Sequence, residues 1–161
     1  MRKSVMGDGM ADRAQAGAGR WRDLERIARV EVSSEDEMFP IENALVQRVT
    51  TGWKASRTGP QVIRMFFDEA VAVRRIQVHV VERTVERSQE FALYAGASAA
   101  ELREVVRQQF TFSPGGSTEE MEEFQVVLDG VRVLELRIDP DRAHDPKASG
   151  SYASLMALRV G

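Results

Sequence analysis

The sequence predicts an all-β protein, folded as a sandwich or barrel of short antiparallel strands. After Leu24, apolar residues recur at every second position over much of the chain, as in Ala28, Val30 and Val32. Side chains of a strand point to alternate faces, so this period of two is typical of strands with one buried face. Turn residues separate the runs, and only one short stretch favours a helix.

Eight runs with this period follow one another, and each is predicted to be one strand. In chain order they are Ala28–Val32, Ile63–Phe67, Val73–Val80, Phe91–Leu93, Val106–Phe112, Phe124–Leu128, Val131–Ile138 and Leu155–Val160. Arg74 and Arg75 interrupt the third run, which predicts a β-bulge at that point.

Turn chemistry lies between several of these runs. The pair Asp129-Gly130 stands between the sixth and seventh runs and is typical of a tight hairpin. Residues 114–116, Pro-Gly-Gly, end the fifth run, and Pro140 ends the seventh because proline cannot donate to a central ladder. Residues 40–45 predict a short helix, since Pro40 suits its first turn.

The chain of 161 residues is predicted to hold one folded domain, residues 23–161, after a flexible tail, residues 1–22. The tail carries a net charge of +3 and few large apolar side chains, whereas the remaining residues carry −6. Such a segment cannot bury enough apolar surface to offset the entropy lost on ordering.

Composition excludes several classes of site. The chain has no cysteine and only two histidines, His79 and His144, which rules out thiolate and histidine-rich metal centres. No apolar run approaches the roughly 18 residues of a membrane span, and no apolar segment follows the basic start, so we expect a cytoplasmic protein. The net charge of −3 argues against nucleic acid as a partner.

A set of motifs in this order resembles discoidin-like domains, also called coagulation factor 5/8 type C domains, and most closely their bacterial carbohydrate-binding members. These are galactose-binding-like jelly rolls, and the resemblance covers about residues 24–161. The segments that carry it are Val30–Asp36, Pro40–Leu45, Thr51–Trp53, Gly59–Phe67, Arg87–Tyr94, Phe110–Glu119, Leu134–Asp141 and Ala153–Leu155.

The resemblance implies an eight-stranded antiparallel jelly-roll β-sandwich that binds a ligand and does no chemistry. Many members bind carbohydrates through loops at one end, while some related domains bind proteins, such as the Doc domain of the anaphase-promoting complex. Sugar-binding members usually carry an Asp-Gly pair that helps to hold a structural calcium. Residues 43–48 read Asn-Ala-Leu-Val-Gln-Arg here, which disfavours calcium, and we expect no cofactor or metal.

Strand parity places four loops at one end of the predicted sandwich: residues 33–60, 82–88, 113–118 and 140–151. These loops are longer and more polar than those of the opposite end, so we expect the binding site there. The candidate ligand-binding residues are Arg57, Arg83, Arg87, His144 and Tyr152.

Each candidate has an alternative interpretation. Guanidinium groups can fork onto hydroxyls or carboxylates, but the alternative for each of the three arginines is a solvated surface position or an ion pair with Glu82, Glu86 or Asp36. His144 could hydrogen-bond a sugar hydroxyl or simply face solvent, and Tyr152 could stack on a sugar ring or pack in a strand. Trp53 is expected in the core, and His79 on a strand surface.

The sequence therefore predicts a non-catalytic binding module with no catalytic residues. No nucleophile elbow is present, and neither histidine has an evident serine partner. The leading hypothesis is a carbohydrate or other small polar ligand bound by the loops. The alternative is a protein–protein interaction module or scaffold on the same fold.

Overall fold

Within residues 20–144 and 150–161, which the computed structural model describes, the chain is built mainly of antiparallel strands. The strands are β1 Ala28–Val32, β2 Trp53–Thr58, β3 Gln61–Val81, β4 Arg87–Gly96, β5 Arg103–Phe112, β6 Glu119–Asp139, β7 Tyr152–Leu155 and β8 Ala157–Val160. Two short helices, α1 and α2, cover Leu24–Ile27 and Glu42–Leu45. The second lies inside the predicted helical stretch. None of the described helices is long and apolar enough to cross a bilayer.

The strands form two facing layers, which confirms the predicted jelly-roll sandwich. Layer one has the order β1-β3-β6-β4-β5 and uses the first half of β3 and the second half of β6. Layer two contains the other halves of β3 and β6, with β8 beside β3 and the β2–β7 pair at its flank. Phe91 of layer one and Phe124 of layer two meet across the core, with ring centroids 6.0 Å apart.

The observed strands are not the eight that the period predicts. The second and third predicted runs are continuous in β3, and the sixth and seventh are continuous in β6. The predicted hairpin at Asp129-Gly130 is wrong, because Leu128 and Val131 both pair with β3 instead of pairing with each other. Gly130, with φ of 65°, therefore bends β6 from one layer into the other. The predicted bulge at Arg74 and Arg75 is confirmed by a register shift.

The remaining differences lie near the two ends of the chain. Strand β2 falls inside the predicted loop 33–60, and Met156 divides the last predicted run into β7 and β8. Helix α1 occupies the residues just after Asp23, whose carboxylate accepts a hydrogen bond from the Arg26 amide at 3.3 Å. Most of the predicted tail, residues 1–19, lies outside the described residues.

The last residues of the predicted tail contact the domain. The Arg22 amide donates to the Val160 carbonyl at 2.7 Å, and the Arg75 guanidinium lies 3.8 Å from the centre of the Trp21 ring. These contacts attach the entry of the chain to layer two.

The described parts of the four predicted loops meet at one end of the sandwich, which we call the loop pole. Val32 pairs with Ile63 and Gln61 pairs with Ile138, so the loops after β1 and after β6 leave from the same end. The Glu82 amide donates to the Thr118 carbonyl at 2.8 Å, which joins the loops 82–86 and 113–118. Strand registers thus gather at one pole loops that lie far apart in the sequence.

Candidate functional site

Arg87 holds the loop pole together from the inside. One of its terminal nitrogens, Nη1, donates to the carbonyls of Pro140 at 3.2 Å and Tyr152 at 3.0 Å, and Nη2 donates to Ser154 Oγ at 3.1 Å. Its Nε lies 2.8 Å from a carboxylate oxygen of Glu82. One guanidinium therefore connects the loop after β3, the loop after β6 and strand β7.

Burial changes the pKa of the Arg87 guanidinium. Arg87 is only 3% exposed, and the loss of hydration lowers its pKa from the usual arginine range, while the Glu82 carboxylate acts in the opposite direction. Both terminal nitrogens donate to protein atoms and Nε lies against the Glu82 carboxylate, while the predicted ligand contact of Arg87 stays a prediction. The sequence-based alternative of an ion pair with Glu82 describes it correctly.

Arg57 and Tyr152 are both exposed near the loop pole, on the paired strands β2 and β7. Thr58 of β2 pairs with Tyr152 of β7, so Arg57 is one residue away from that pair. The Arg57 guanidinium donates to the Ser33 carbonyl, and both residues are exposed, Tyr152 by 51%. An exposed cation and an exposed aromatic ring thus lie on paired strands of the pole, with the ring opposite Thr58 and not opposite Arg57.

Arg83 and His144 also face solvent, on two further loops of the pole. Arg83 follows Glu82, and the Glu82 contact with Arg87 fixes the start of its turn. The His144 amide donates to the Asp141 carbonyl at 3.1 Å, and its φ of 52° lies in the left-handed region. Residues 145–149, the next part of this predicted loop, are outside the described residues.

A buried polar network supports the first loop of the pole. The hydroxyls of Ser33 and Ser34 donate to Gln61 Oε1 at 2.6 and 2.7 Å, and Gln61 is 3% exposed. Trp53 is 1% exposed and donates from Nε1 to the Ser34 carbonyl at 3.1 Å. The expectation that Trp53 belongs to the core is confirmed.

The sequence analysis did not identify Met38 as an exposed apolar residue of the first loop of the pole, although the residue is 77% exposed. Its loop is attached to β2, because the Asp36 amide donates to the Lys54 carbonyl at 2.9 Å and the Lys54 amide donates to the Phe39 carbonyl at 3.2 Å. Asp36 Oδ1 also accepts from the Met38 amide at 2.8 Å. Asp36 was the signal that could have predicted this turn, because aspartate side chains often accept a hydrogen bond from the backbone amide two residues later.

The region of the family's calcium site does not fit a metal ion in this chain. Gln47 uses its amide nitrogen to donate to the carbonyls of Trp21 and Arg22, both at 3.2 Å. Arg48 places a cation there and pairs with Glu25 at 3.5 Å. Across the described residues, no group of three or more carboxylates or histidines is arranged to hold a metal ion.

Two further features lie away from the loop pole. A depression of about 440 Å³ between Ala95 and Arg103 belongs to the β4–β5 turn at the opposite end. His79 lies on the outward side of β3, as predicted, and its Nε2 is 2.6 Å from a carboxylate oxygen of Glu119. Neither feature reaches the predicted site residues.

Solved structures with this fold include several carbohydrate-binding modules. CBM32-3 from a family 31 glycoside hydrolase of Clostridium perfringens is 16% identical with a TM-score of 0.65, and the match covers 90% of this chain and 96% of that one. The C-terminal domain of a Bacteroides fragilis chitobiase is 14% identical with a TM-score of 0.63, covering 88% and 97%. The family 32 module of C. perfringens NanJ, solved with galactose, is 18% identical with a TM-score of 0.54, covering 83% and 92%.

At these identities the likeness shows the galactose-binding-like fold. No curated protein matches the chain. The model of the family described as anaphase-promoting complex, subunit 10 (APC10), matches residues 2–123. The sequence motifs of the chain resemble those of the wider group of galactose-binding-like jelly rolls. Because the family match spans well over half of the sequence, the chain belongs to the APC10 family within that group.

Proposed function

We propose that this protein is a non-catalytic protein-interaction module that works as a subunit of a larger protein assembly. The membership in a family named for a subunit of a complex supports a protein partner over a free sugar. We place the contact surface at the loop pole, where Arg57, Arg83, His144 and Tyr152 are exposed.

The observation that carries this proposal is the internal bracing of the pole by Arg87. Its contacts to Glu82, Pro140 and Tyr152 tie separate loops into one surface before any partner arrives. A preorganised surface loses less conformational entropy on binding, which favours specific recognition. Exposed arginine and tyrosine side chains are the types that contribute most to binding energy at protein interfaces.

The proposal is tested by affinity purification of the full chain from its native host, with quantitative mass spectrometry of the recovered proteins. We expect one stoichiometric partner with the unchanged chain, and its loss with the double variant Arg57→Ala, Tyr152→Ala. Arg132→Ala, an exposed arginine on β6 near the opposite end, is the matched control and should retain the partner. Equal recovery with the pole variant and the control would refute a contact at the loop pole.

A second candidate function, carbohydrate binding at the same pole, is favoured by one specific observation. Tyr152 is 51% exposed at the loop pole, and an exposed aromatic ring is a surface on which a sugar ring can stack. Titration calorimetry with galactose at millimolar concentration tests it. Heat that disappears in Tyr152→Ala would select this function, and no heat from any sugar of a glycan panel would reject it.

A further inference from the structure

On one side of the sandwich, layer one extends one strand further than layer two. Phe91 of β4 faces Phe124 of β6 across the core, so β6 is the last described strand of layer two opposite β4. Layer one continues beyond β4 with β5. Val105 and Val106 of β5 are consequently only half-buried, although both pack against the core.

The inward face of β6 is open along the same side. Its inward residues from Glu119 to Leu128 are all half-buried, whereas the inward residues of the neighbouring β3 are at most 1% exposed. The half-buried residues are Glu120, Glu122, Phe124, Val126 and Leu128. These five residues line a strip that we call the edge trough, on a sandwich side where Val105 and Val106 of β5 are also half-buried.

The backbone along the edge trough is available for pairing. Among the described residues, the first half of β6 pairs with β3 alone and β5 pairs with β4 alone. Their other edges thus present free amide and carbonyl groups. An extended peptide could add to the β6 edge as a further strand and satisfy these groups.

The negative charges in the edge trough favour a partner segment with basic side chains. On the outward side of β6, Glu119 is paired with His79 at 2.6 Å and Glu123 with Arg75 at 2.9 Å. On the inward side, Glu120 and Glu122 are half-buried and form no ion pair with any residue that the structure describes. Partly desolvated carboxylates without a counter-ion favour a basic side chain from a partner.

We propose that the edge trough binds an extended segment of a partner protein as an added strand beside β6. The strand places lysine or arginine next to Glu120 and Glu122, and aliphatic residues at the following alternate positions next to Phe124, Val126 and Leu128. This surface starts beside the pole loop 113–118 and runs away from it along β6, and it does not depend on the proposed function.

A second copy of this chain fits the trough less well. Antiparallel pairing of two β6 edges about Phe124 would set Glu120 of each copy opposite Leu128 of the other. Both carboxylates would then be buried against apolar side chains without a counter-ion, which is unfavourable. Inward-pointing charges of this kind discourage edge-to-edge association.

The probe is a fluorescein-labelled decapeptide, Thr-Val-Thr-Val-Thr-Val-Thr-Lys-Thr-Lys, whose order suits antiparallel pairing. We expect saturable binding by fluorescence anisotropy to the full chain. Hydrogen–deuterium exchange should show new protection of amides in residues 119–128, because strand addition engages the backbone. The same peptide with Glu in place of Lys should bind at least about tenfold more weakly.

Matched variants separate the two faces of β6. Glu120→Gln with Glu122→Gln should weaken the lysine peptide about tenfold, whereas Glu119→Gln with Glu123→Gln, the same change in net charge on the outward face, should leave it within about twofold. The proposal would be overturned if both pairs of substitutions weakened peptide binding equally. It would also be overturned if the peptide bound without protecting the amides of residues 119–128, or if it did not bind at all. A concentration-dependent dimer with protection of 119–128 in the free chain would assign the edge to a second copy instead and would also overturn it.

Discussion

At the scale of single residues, the loop pole depends on a charge that is not on its surface. Arg87 and Arg57 are both arginines near strand ends, yet one is 3% exposed and the other faces solvent. The difference follows from strand register: Arg87 is on the inward side of β4 opposite the buried Phe112, so its guanidinium turns under the loops. Arg87 positions Tyr152 directly, through the Tyr152 carbonyl, and Arg83 through the neighbouring Glu82.

Removal of Arg87 should therefore destabilise the fold. In Arg87→Ala the half-buried Glu82 carboxylate loses its counter-ion, and the carbonyls of Pro140 and Tyr152 lose their donor, at a cost of about 3–5 kcal/mol in the free energy of unfolding. Urea unfolding followed by circular dichroism measures the difference. Arg83→Ala, four residues earlier and exposed, should change it by no more than about 0.5 kcal/mol. Similar midpoints for both variants would contradict the internal role of Arg87.

A second buried charge makes stability depend on pH. Glu135 is 1% exposed on the outer side of layer one, with one oxygen 2.6 Å from Arg64 Nε and the other 2.6 Å from Arg137 Nε. Burial acts to raise the pKa of Glu135, but the hydrogen bonds from Arg137 and Arg64 outweigh it and hold the pKa below the ordinary value of 4.5. The ionised carboxylate is thus favoured more in the folded than in the unfolded chain.

Because the folded pKa is depressed, this contribution is present above the unfolded pKa and is lost as the pH falls through the folded pKa. We expect the melting temperature to fall as the pH is lowered from about 5 towards 3, and to fall less in Glu135→Gln. Glu104→Gln is the control, since the hydrogen bond from Arg107 also lowers the pKa of Glu104 but solvent screens that exposed pair. A pH profile of Glu135→Gln identical to that of the unchanged chain would rule out this linkage.

At the scale of elements, β3 and β6 are the two strands that build both layers. Each runs for 21 residues and passes from one layer to the other. The bends are made by register shifts between Phe66 and Arg75 in β3 and by the positive φ of Gly130 in β6. Since the two strands bend side by side while paired, the corner keeps its ladder instead of opening into two loops.

The β4–β5 turn allows a matched test of backbone packing. A Cβ atom on Gly96 would lie 2.0 Å from the Glu101 carbonyl oxygen, so Gly96→Ala must displace the backbone of the turn and should cost at least about 2 kcal/mol. Gly115→Ala has no atom within 4 Å of the added Cβ and should stay within about 0.5 kcal/mol. Thermal unfolding compares them. An unaffected Gly96→Ala would mean that the turn is looser than described.

At the scale of the whole molecule, one apolar core joins the two layers. Phe91 is 1% exposed and lies 5.4 Å from Phe110 of its own layer and 6.0 Å from Phe124 of the facing layer, measured between ring centroids. It therefore contributes to the cohesion of the sandwich as a whole. Core burial of this kind is the main stabilising term for a domain of this size.

Phe91→Ala should accordingly lower the free energy of unfolding by about 3–5 kcal/mol, since it removes apolar contacts and leaves a cavity between the layers. Val127→Ala, at a position 77% exposed on β6, is the control and should cost less than about 1 kcal/mol. Denaturant titration measures both. If the two variants unfolded at the same denaturant concentration, Phe91 would not link the layers.

The sequence predicted those features that depend on local alternation. The period of two identified the inward residues of β1, β4 and both halves of β3 and β6. It also correctly placed His79 on the outward side of its strand. The core position of Trp53 was predicted from the family resemblance. The exposed positions of Arg57, Arg83 and His144 agree with loops at one pole. Their roles in binding stay predictions.

Long-range contacts decided the rest, because they depend on which strands become neighbours. An Asp-Gly pair can reverse a strand or bend it, and only the pairing of Leu128 and Val131 with the same strand distinguishes the two. A polar side chain such as Arg87 can be buried only if its partners arrive from elsewhere in the chain, here from Glu82, Pro140 and Ser154. Alternation is a property of neighbouring residues and can be read locally, whereas pairing and the burial of charge depend on segments far apart in the chain.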